Sequence, residues 1–286
     1  MNPKVNVIVV PIYKSNLNEF EIISLRQLVK VLYKHEIRFI TYKELNTTAY
    51  DKELQSATIK YAYEYFEASY FENTAGYNRL MLSLDFYKRF NAFEYMLIYQ
   101  LDAYVFRDEL EAWCAKGYDF VGAPLIEDKY GVENKFFLNH YNGGFSLRSI
   151  KYSIRLLSYK GPLLKPNLIY RIVKEEFKSN PLKGMIYFVL RSVGRQNNVS
   201  FLKRKTPINE DLFFTLGLFV SWMNCNVTKN EAWIYPKLPA IDETIQFAFE
   251  RFPIYLFGLN NNKLPFGCHA WEKYEYDEFW KIHIIK

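Results

Sequence analysis

Apolar positions along the first 150 residues alternate between two spacings. Nearly continuous apolar runs at Val5–Val10, Ile37–Thr41 and Phe93–Gln100 are typical of strands that are buried on both faces of a parallel sheet. Between these runs, residues 18–35 and 74–90 carry apolar side chains at the spacing of amphipathic helices. This β-α-β-α order predicts an α/β fold, with a mixed, mainly parallel Rossmann-type sheet flanked by helices.

Shorter elements continue the pattern towards the carboxyl terminus. They are a short helix after Asp108, a strand at Tyr118–Gly122, and helices at Leu212–Trp222 and Asp242–Glu250. Residues 151–205 differ from this α/β pattern in their charge and in their helical apolar spacing. We therefore expect one domain over residues 1–286, with residues 151–205 forming a basic helical insertion within it.

The charge of the chain is concentrated in that segment. The whole chain carries 37 Lys and Arg against 31 Asp and Glu, a net charge of +6. Residues 151–205 carry 13 Lys and Arg against two acids, so the segment has a charge of +11 and the remainder −5. Apolar pairs such as Leu163-Leu164 and Ile172-Val173 lie between the basic residues. Two interpretations remain open: helices lying on an anionic membrane surface, or a solvated insertion packed on the main domain.

Composition narrows the cellular setting. The three cysteines stand far apart and form no metal-binding or disulfide pattern, which favours a reducing compartment. The apolar run near the amino terminus is too short for a signal peptide, and no run reaches the length of a membrane-spanning helix. We expect a cytoplasmic protein, free or peripherally bound to the inner face of the cytoplasmic membrane. The basic segment contains no recognised nucleic-acid-binding motif, so no nucleic-acid partner is expected.

Two clusters of candidate functional residues lie next to predicted strands, the first after a strand and the second before one. Gln100-Leu101-Asp102-Ala103 ends the strand that begins at Phe93. Open α/β sheets bind ligands at such strand ends, where one carboxylate can hold a divalent cation or simply brace a turn. Asn142-Gly143-Gly144 precedes an apolar strand, and paired glycines there allow a ligand to approach the backbone closely or form an ordinary turn.

Two further clusters lie late in the chain. Glu210-Asp211 opens a predicted helix, where an acid can cap the helix or take a proton from an attacking hydroxyl. His269 lies in a loop between Gly267 and Trp271. An imidazole next to a carboxylate favours Mn²⁺ over an all-oxygen magnesium site, although a single loop histidine is more often a surface residue.

In order and spacing, these clusters resemble the nucleotide-sugar glycosyltransferases of the GT-A fold. The chain is most similar to an uncharacterised bacterial family of glycosyltransferase-like domains, a DUF5672-like domain of unknown function. The motifs that carry this resemblance are Gln100-Leu101-Asp102-Ala103, Asn142-Gly143-Gly144-Phe145-Ser146-Leu147-Arg148, Glu210-Asp211 and Phe266-Gly267-x-His269-x-Trp271. They cover most of the chain outside the basic segment. A fainter likeness to the glycogenin-like transferases matches Arg79 to a donor-binding arginine.

The resemblance implies transfer of a sugar from a nucleoside diphosphate sugar, with a UDP-sugar favoured, to a hydroxyl of a glycan or lipid-linked acceptor. Such a reaction would serve bacterial surface polysaccharide synthesis. The residues assigned to the donor are Pro11, Ile12, Tyr13, Asn78, Arg79, Gln100 and Asp102, and those assigned to the acceptor are Asn142, Gly143, Gly144 and Trp271. Asp211 would be the general base with Glu210 orienting the acceptor, which implies an inverting hexosyltransferase.

The metal site departs from the family pattern. GT-A enzymes usually carry Asp-x-Asp at this strand end, and Gln100 stands where the first acid would be. Asp102 and His269 are therefore the assigned ligands of Mn²⁺ or Mg²⁺. Gln100 leaves an alternative open, a non-catalytic nucleotide-sugar or carbohydrate-binding module on the same fold. A sugar nucleotidyltransferase is disfavoured because no glycine-rich basic loop follows the first strand.

Overall fold

The computed structural model describes residues 4–55, 59–127, 135–205, 209–216 and 227–284. The strands are β1 (Lys4–Pro11), β2 (Ile37–Thr41), β3 (Tyr61–Tyr65), β4 (Phe93–Tyr99), β5 (Ala103–Val105), β6 (Phe120–Glu127), β7 (Phe136–Ser149), β8 (Ala248–Phe249) and β9 (Gly267–His269). The main sheet has the order β3-β2-β1-β4-β7-β6. The first four of these strands run parallel, whereas β7 is antiparallel to both β4 and β6. This mixed, mainly parallel sheet confirms the predicted fold class.

Helices lie along both faces of the sheet. They are α1 (Glu19–Val31), α2 (Thr48–Leu54), α3 (Thr74–Met81), α4 (Leu84–Arg89), α5 (Leu110–Ala115), α6 (Ile150–Ser158), α7 (Pro166–Glu176), α8 (Pro181–Ser192), α9 (Val199–Lys205), α10 (Glu210–Phe214), α11 (Ile241–Phe247), α12 (Pro253–Leu259) and α13 (Lys281–His283). A 3₁₀ helix at Ala68–Tyr70 and a π-helix at Tyr276–Trp280 complete the described elements.

The alternation of side chains along β1 explains the continuous apolar run in the sequence. Val7 and Val9 face a core that is shared with α3, α4, α6 and α7. Ile8 and Val10 face the opposite core, which is shared with α1, α2 and α5. Because helices cover both faces, every side chain from Asn6 to Pro11 is buried.

Several predicted helices have different limits in the structure. The helix predicted over 74–90 is two helices, because Ser83 adopts an extended backbone and begins α4. The helix predicted over Leu212–Trp222 begins earlier, at Glu210, and its residues from 217 onward lie outside the described residues. The helix predicted over Asp242–Glu250 ends at Phe247, where the chain enters β8. Within 151–205 the structure contains α6, α7, α8 and α9.

A second sheet brings the late part of the chain to the strand end of β4. It has the order β5-β9-β8, and β5 follows β4 after a short turn. Ala103 in β5 pairs with His269 in β9 in an antiparallel register. This pairing places His269 beside Asp102, although 167 positions separate them in the sequence.

Candidate active site

A cavity of about 570 Å³ lies at the carboxyl ends of β1 and β4. Open α/β sheets place their ligand sites at this edge. Five of the residues assigned to the donor line the cavity, namely Pro11, Ile12, Tyr13, Gln100 and Asp102. The other lining residues are Lys14, Asn18, Glu21, Tyr50, Tyr70, Phe71, Glu72, Asn73, Thr74, Tyr77, Leu101, Glu272 and Lys273. A cavity of this volume is in the range that small-molecule ligands occupy.

Asp102 lies between two cationic side chains. Its Oδ1 is 3.1 Å from Nε2 of His269, and its Oδ2 accepts a hydrogen bond of 2.6 Å from Nζ of Lys273. Burial by itself raises the pKa of Asp102, but His269 and Lys273 together hold that pKa well below its usual range. Asp102 is therefore ionised across the physiological pH range.

Both ring nitrogens of His269 lie within hydrogen-bonding distance of polar side chains. Nε2 lies 3.2 Å from Oε1 of Gln100, and Nδ1 lies 3.3 Å from Oε1 of Glu250. Burial by itself lowers the pKa of His269, but the charges and hydrogen bonds of Asp102 and Glu250 raise it to about 10. The imidazole is thus a buried cation between two carboxylates.

Glu250 connects this histidine to β7. Its Oε1 also accepts a hydrogen bond of 3.1 Å from Nδ2 of Asn142, whose Oδ1 accepts the backbone N–H of Gly144 at 2.7 Å. The other carboxylate oxygen, Oε2, is buried and has no hydrogen-bond partner among the described residues. Glu250 therefore orients both His269 and Asn142 of β7.

Two polar side chains pack closely against the glycine pair Gly143-Gly144, His269 against Gly144 and Glu210 against Gly143. A Cβ on Gly144 would lie 2.0 Å from Nε2 of His269. A Cβ on Gly143 would lie 2.5 Å from Oε1 of Glu210. Because real Cβ atoms never come this close to another atom, only glycine lets His269 and Glu210 pack directly on this strand.

Behind Gly143 lies a buried ion pair. Nη2 of Arg148 donates to Oε1 of Glu210 at 2.6 Å and to the carbonyl of Gly143 at 3.0 Å. Both side chains are buried, and the guanidinium also lies against the rings of Phe120 and Phe214. Such a pair is costly to bury unless both charges are hydrogen-bonded, as they are here.

Asp211 follows Glu210 at the start of α10 and is also buried. Its Oδ1 accepts the backbone N–H of Leu212 at 2.6 Å. Burial first, and the charge of Glu210 second, raise the pKa of Asp211 to about 7. A carboxyl group with this pKa is able to exchange a proton near neutral pH, as a general base must.

The structure also tests whether Asp102 and His269 suit a divalent cation. Nε2 of His269 lies 3.1 Å from Oδ1 of Asp102 and 3.2 Å from Oε1 of Gln100. In the described part of the chain, no group of three or more His, Cys, Asp or Glu side chains is arranged to hold a metal. The donors fit Mn²⁺ or Mg²⁺ only where diphosphate oxygens and water supply the remaining ligands, an arrangement common for Mg²⁺. A metal on Nε2 would also require His269 to lose its proton.

Nine predicted site residues are not among those that line the cavity, namely Asn78, Arg79, Asn142, Gly143, Gly144, Glu210, Asp211, His269 and Trp271. Asn78 is buried, and its Nδ2 is 3.4 Å from Oδ1 of Asn209. Arg79 donates to the carbonyl of Ser69 at 3.1 Å. Trp271 is fully buried, with its ring centroid 5.3 Å from that of Phe20. Their assignments to donor or acceptor binding stay predictions.

Sequence reasoning missed two residues that contact the predicted site. Lys273 comes four positions after His269, so its proximity to that motif was a usable signal. Glu250 lies at the predicted end of a helix, and nothing in its local pattern indicates a contact with His269. Asn73, at the amino end of α3, also lines the cavity without a motif to mark it.

Comparison with known proteins identifies the family. The family model described as "Protein of unknown function (DUF5672)" matches residues 60–269, which is well over half of the chain. The chain therefore belongs to this family, as its motifs predict. Comparison with curated proteins gave no match.

Two solved structures that are similar to this chain are glycosyltransferases. Core-mannan synthase A from Aspergillus fumigatus, in a Mn/GDP form, shares 10% sequence identity with a TM-score of 0.34. The match covers 73% of this chain and 62% of the synthase, so the chain spans less than two thirds of that protein's length. A glycosyltransferase involved in the glycosylation of the major capsid of PBCV-1 shares 11% identity with a TM-score of 0.37, over 98% of this chain and 100% of that one. At these TM-scores, no property of either protein is carried over to this chain.

Proposed function

We propose that this protein transfers a sugar from a nucleoside diphosphate sugar to an acceptor hydroxyl. One observation carries the proposal. A donor-sized cavity has Asp102 in its wall, and Asp211, a buried carboxyl with a raised pKa, directly follows Glu210, whose carboxylate packs against Gly143. A transferase needs both features, an anchor for the leaving diphosphate and a base for the attacking hydroxyl.

The cavity has the chemistry to hold a nucleoside diphosphate. Tyr13 is exposed in its wall and offers a ring for stacking on a base, with a UDP-sugar as the favoured donor. Asn18 and Asn73, the N-cap residues of α1 and α3, both line the cavity, so the first turns of two helices lie beside the proposed diphosphate position. Lys273 adds a positive charge beside Asp102.

In this proposal, Asp102 and His269 hold Mn²⁺ or Mg²⁺. The ion would stabilise the negative charge that develops on the departing diphosphate. Gln100 takes the place of the usual first acid and contributes its amide oxygen beside His269. Glu250 keeps the ring oriented through Nδ1.

Asp211 is the proposed general base. Its carboxylate accepts the proton of the acceptor hydroxyl while the acceptor oxygen bonds to the anomeric carbon. The bond from that carbon to the diphosphate oxygen breaks in the same step, and the diphosphate leaves with the electron pair. A single displacement of this kind inverts the anomeric configuration. Glu210 stabilises the site by pairing with Arg148 and lies over Gly143, next to the proposed acceptor position.

We place the acceptor among glycans or lipid-linked glycans of bacterial surface polysaccharide synthesis. We also place the protein in the cytoplasm, peripherally bound at the inner face of the cytoplasmic membrane. The charge of +11 over residues 151–205 supports that location, because the inner leaflet is rich in anionic lipid. None of the described helices is long and apolar enough to span a bilayer.

A donor panel tests the catalytic proposal. UDP-, GDP- and TDP-sugars would be titrated into the protein by calorimetry, and release of nucleoside diphosphate would be followed with and without Mn²⁺. We expect one donor to bind and to be slowly hydrolysed, and Asp102→Ala to abolish the binding that depends on Mn²⁺. Metal-dependent binding that persists in Asp102→Ala would refute the ligand role.

The alternative function is a non-catalytic nucleotide-sugar-binding module. Gln100 in place of the usual acid favours it, because it leaves Asp102 as the single carboxylate of the Gln100-Leu101-Asp102 motif. The same panel separates the two functions. Donor binding without hydrolysis or transfer to any acceptor would support the module and contradict the enzyme.

A further inference from the structure

One face of α8 exposes a stripe of large apolar side chains. Its members are Leu182, Met185, Ile186, Val189 and the C-cap residue Val193, which are between 51% and 66% exposed. At 100° per residue, these positions fall within one sector of the helix. We call this set the α8 stripe.

The opposite face of α8 packs against the rest of the protein. Gly184 and Arg191 on that face are buried. The ring of Tyr187 packs 4.8 Å from that of Phe177, at the end of α7. On its own inner side, α7 buries Leu168 and Ile169 in the main core. The helix pair is therefore anchored by one face, and the α8 stripe is not needed for that packing.

Exposed basic side chains lie on the same helix pair as the stripe. Lys174 and Lys178 lie at the end of α7, Lys183 lies in α8, and Arg195 follows it. All four are exposed. The acids of the segment, Glu175 and Glu176, are few against its 13 basic residues. An exposed apolar stripe on a basic helix pair matches the chemistry of an anionic lipid surface, which offers hydrocarbon below a layer of negative headgroups.

We propose that the α8 stripe is the surface that docks this protein on an anionic membrane. The helix would lie in the plane of the interface, with the stripe at the headgroup boundary and the basic residues against the phosphates. This inference rests on the membrane location within the proposed function, and it is independent of glycosyl transfer. A protein partner would instead need a complementary acidic and apolar surface. A second copy of this chain, docked through its own α8 stripe, would bring two basic segments together, which repel each other.

Vesicle binding tests the proposal with a matched pair of variants. The probe is a sedimentable vesicle of phosphatidylglycerol and phosphatidylcholine in equal amounts, with pure phosphatidylcholine as the uncharged comparison. The test variant is Met185→Asp/Ile186→Asp/Val189→Asp. The control is Ile254→Asp/Leu259→Asp/Ile282→Asp, which makes the same charge change at three exposed apolar residues elsewhere.

We expect the parent protein and the control to bind anionic vesicles, and the test variant to bind at least about tenfold more weakly. Binding should also fall with added salt, because exposed charges are screened. Equal binding by the test and control variants would overturn the α8 stripe while leaving the membrane location intact. Absence of vesicle binding by the parent protein would overturn both, whatever the result of the donor panel.

Further measurements separate a loss of membrane docking from unfolding of the variant and from a change in self-association. Far-UV circular dichroism and donor binding confirm that each variant is folded, and Leu182→Ser/Val193→Ser provides a milder change at the ends of the stripe. That variant should weaken vesicle binding in the same direction by a smaller factor. Light scattering reports the oligomeric state. A loss of self-association in the test variant with unchanged vesicle binding would assign the stripe to a contact between copies and overturn the proposal.

Discussion

The site at the end of β4 and the α7–α8 pair use charge in opposite ways. At β4, the buried His269 pairs with the partly buried Asp102, and their pKa values move far from those of free side chains. On α7 and α8, basic side chains such as Lys174 and Lys183 stay in water. Burial lets neighbouring groups shift the pKa of a side chain strongly, as an acid–base reaction requires. Exposure keeps a charge constant and accessible, as attraction to a surface requires.

The largest expected effect comes from the base in the buried site. Asp211→Asn should lower sugar transfer by about 10²–10⁴-fold, because an amide cannot accept the proton of the hydroxyl. Donor affinity should stay close to that of the parent protein, as measured by calorimetry. Asp277→Asn changes an exposed carboxylate of the same type and serves as the control. Turnover that survives in Asp211→Asn would remove the base from the mechanism.

The buried ion pair should be far more sensitive than an exposed one. Arg148→Met leaves Glu210 buried without its cation, so the free energy of unfolding should fall by about 3–5 kcal/mol. Arg26→Met breaks the exposed pair with Glu53 and should leave the free energy of unfolding close to that of the parent protein. Urea denaturation measures both values. Equal losses of the free energy of unfolding in the two variants would contradict the prediction that the buried pair contributes more to stability than the exposed pair.

The glycine pair offers a steric test of the same site. Gly144→Ala places a Cβ against His269, and the displacement should cost about 1–3 kcal/mol of stability and reduce donor turnover. Gly258→Ala is the matched control, because nothing lies within 4 Å of its added Cβ. That substitution, in α12, should be neutral or stabilising by up to about 1 kcal/mol. Thermal denaturation and donor hydrolysis on both variants would check the contrast.

The raised pKa of Asp211 predicts how turnover depends on pH. Only the ionised carboxylate accepts a proton, so kcat/KM should rise about tenfold per pH unit below the pKa and level off above about 7. A pH profile of transfer in the parent protein measures this directly. The residual activity of Asp211→Asn should lack that rise. A parent profile that is flat from about pH 5 to pH 8 would contradict the assignment.

The smallest expected effect comes from the exposed basic residues. Lys174→Gln, Lys178→Gln, Lys183→Gln and Arg195→Gln together should change the free energy of unfolding by no more than about 0.5 kcal/mol per site, since surface substitutions are usually near neutral. Hydrolysis of a soluble donor should stay within about twofold of the parent value, because the described site contacts do not involve these residues. A large loss of hydrolysis would show that the two regions are coupled.

Much of the site was predictable because it depends on local spacing. A strand of seven residues, six of them apolar, ends at Tyr99, which puts Gln100 and Asp102 at the ligand-binding edge of the sheet. The sequence also marked Asn142 and the two glycines that follow it, but it placed them before a strand, whereas they lie within β7. The contact between Glu250 and His269 was not predictable, because it depends on how β8 and β9 pair.

Burial was the second property that local patterns did not reveal. Trp271 has the type and place of a sugar-stacking residue, yet its ring is enclosed in an aromatic cluster with Phe20 and Tyr276. Arg148 reads as an ordinary basic residue at the end of a motif, yet it is fully buried against Glu210. Whether a side chain faces solvent or core is decided by distant elements that the local pattern does not contain.

By itself, the sequence determined the α/β class, the family and the strand ends that carry the candidate chemistry, because hydrophobic periodicity and short motifs act over a few residues. It also located the basic segment. Only the tertiary structure decided that His269 lies between Asp102 and Glu250, that Asp211 is buried enough to hold a proton near neutral pH, and that the α8 stripe faces solvent. Each of these depends on the packing of elements far apart in the chain, since a pKa and an exposure are properties of the surroundings rather than of the residue.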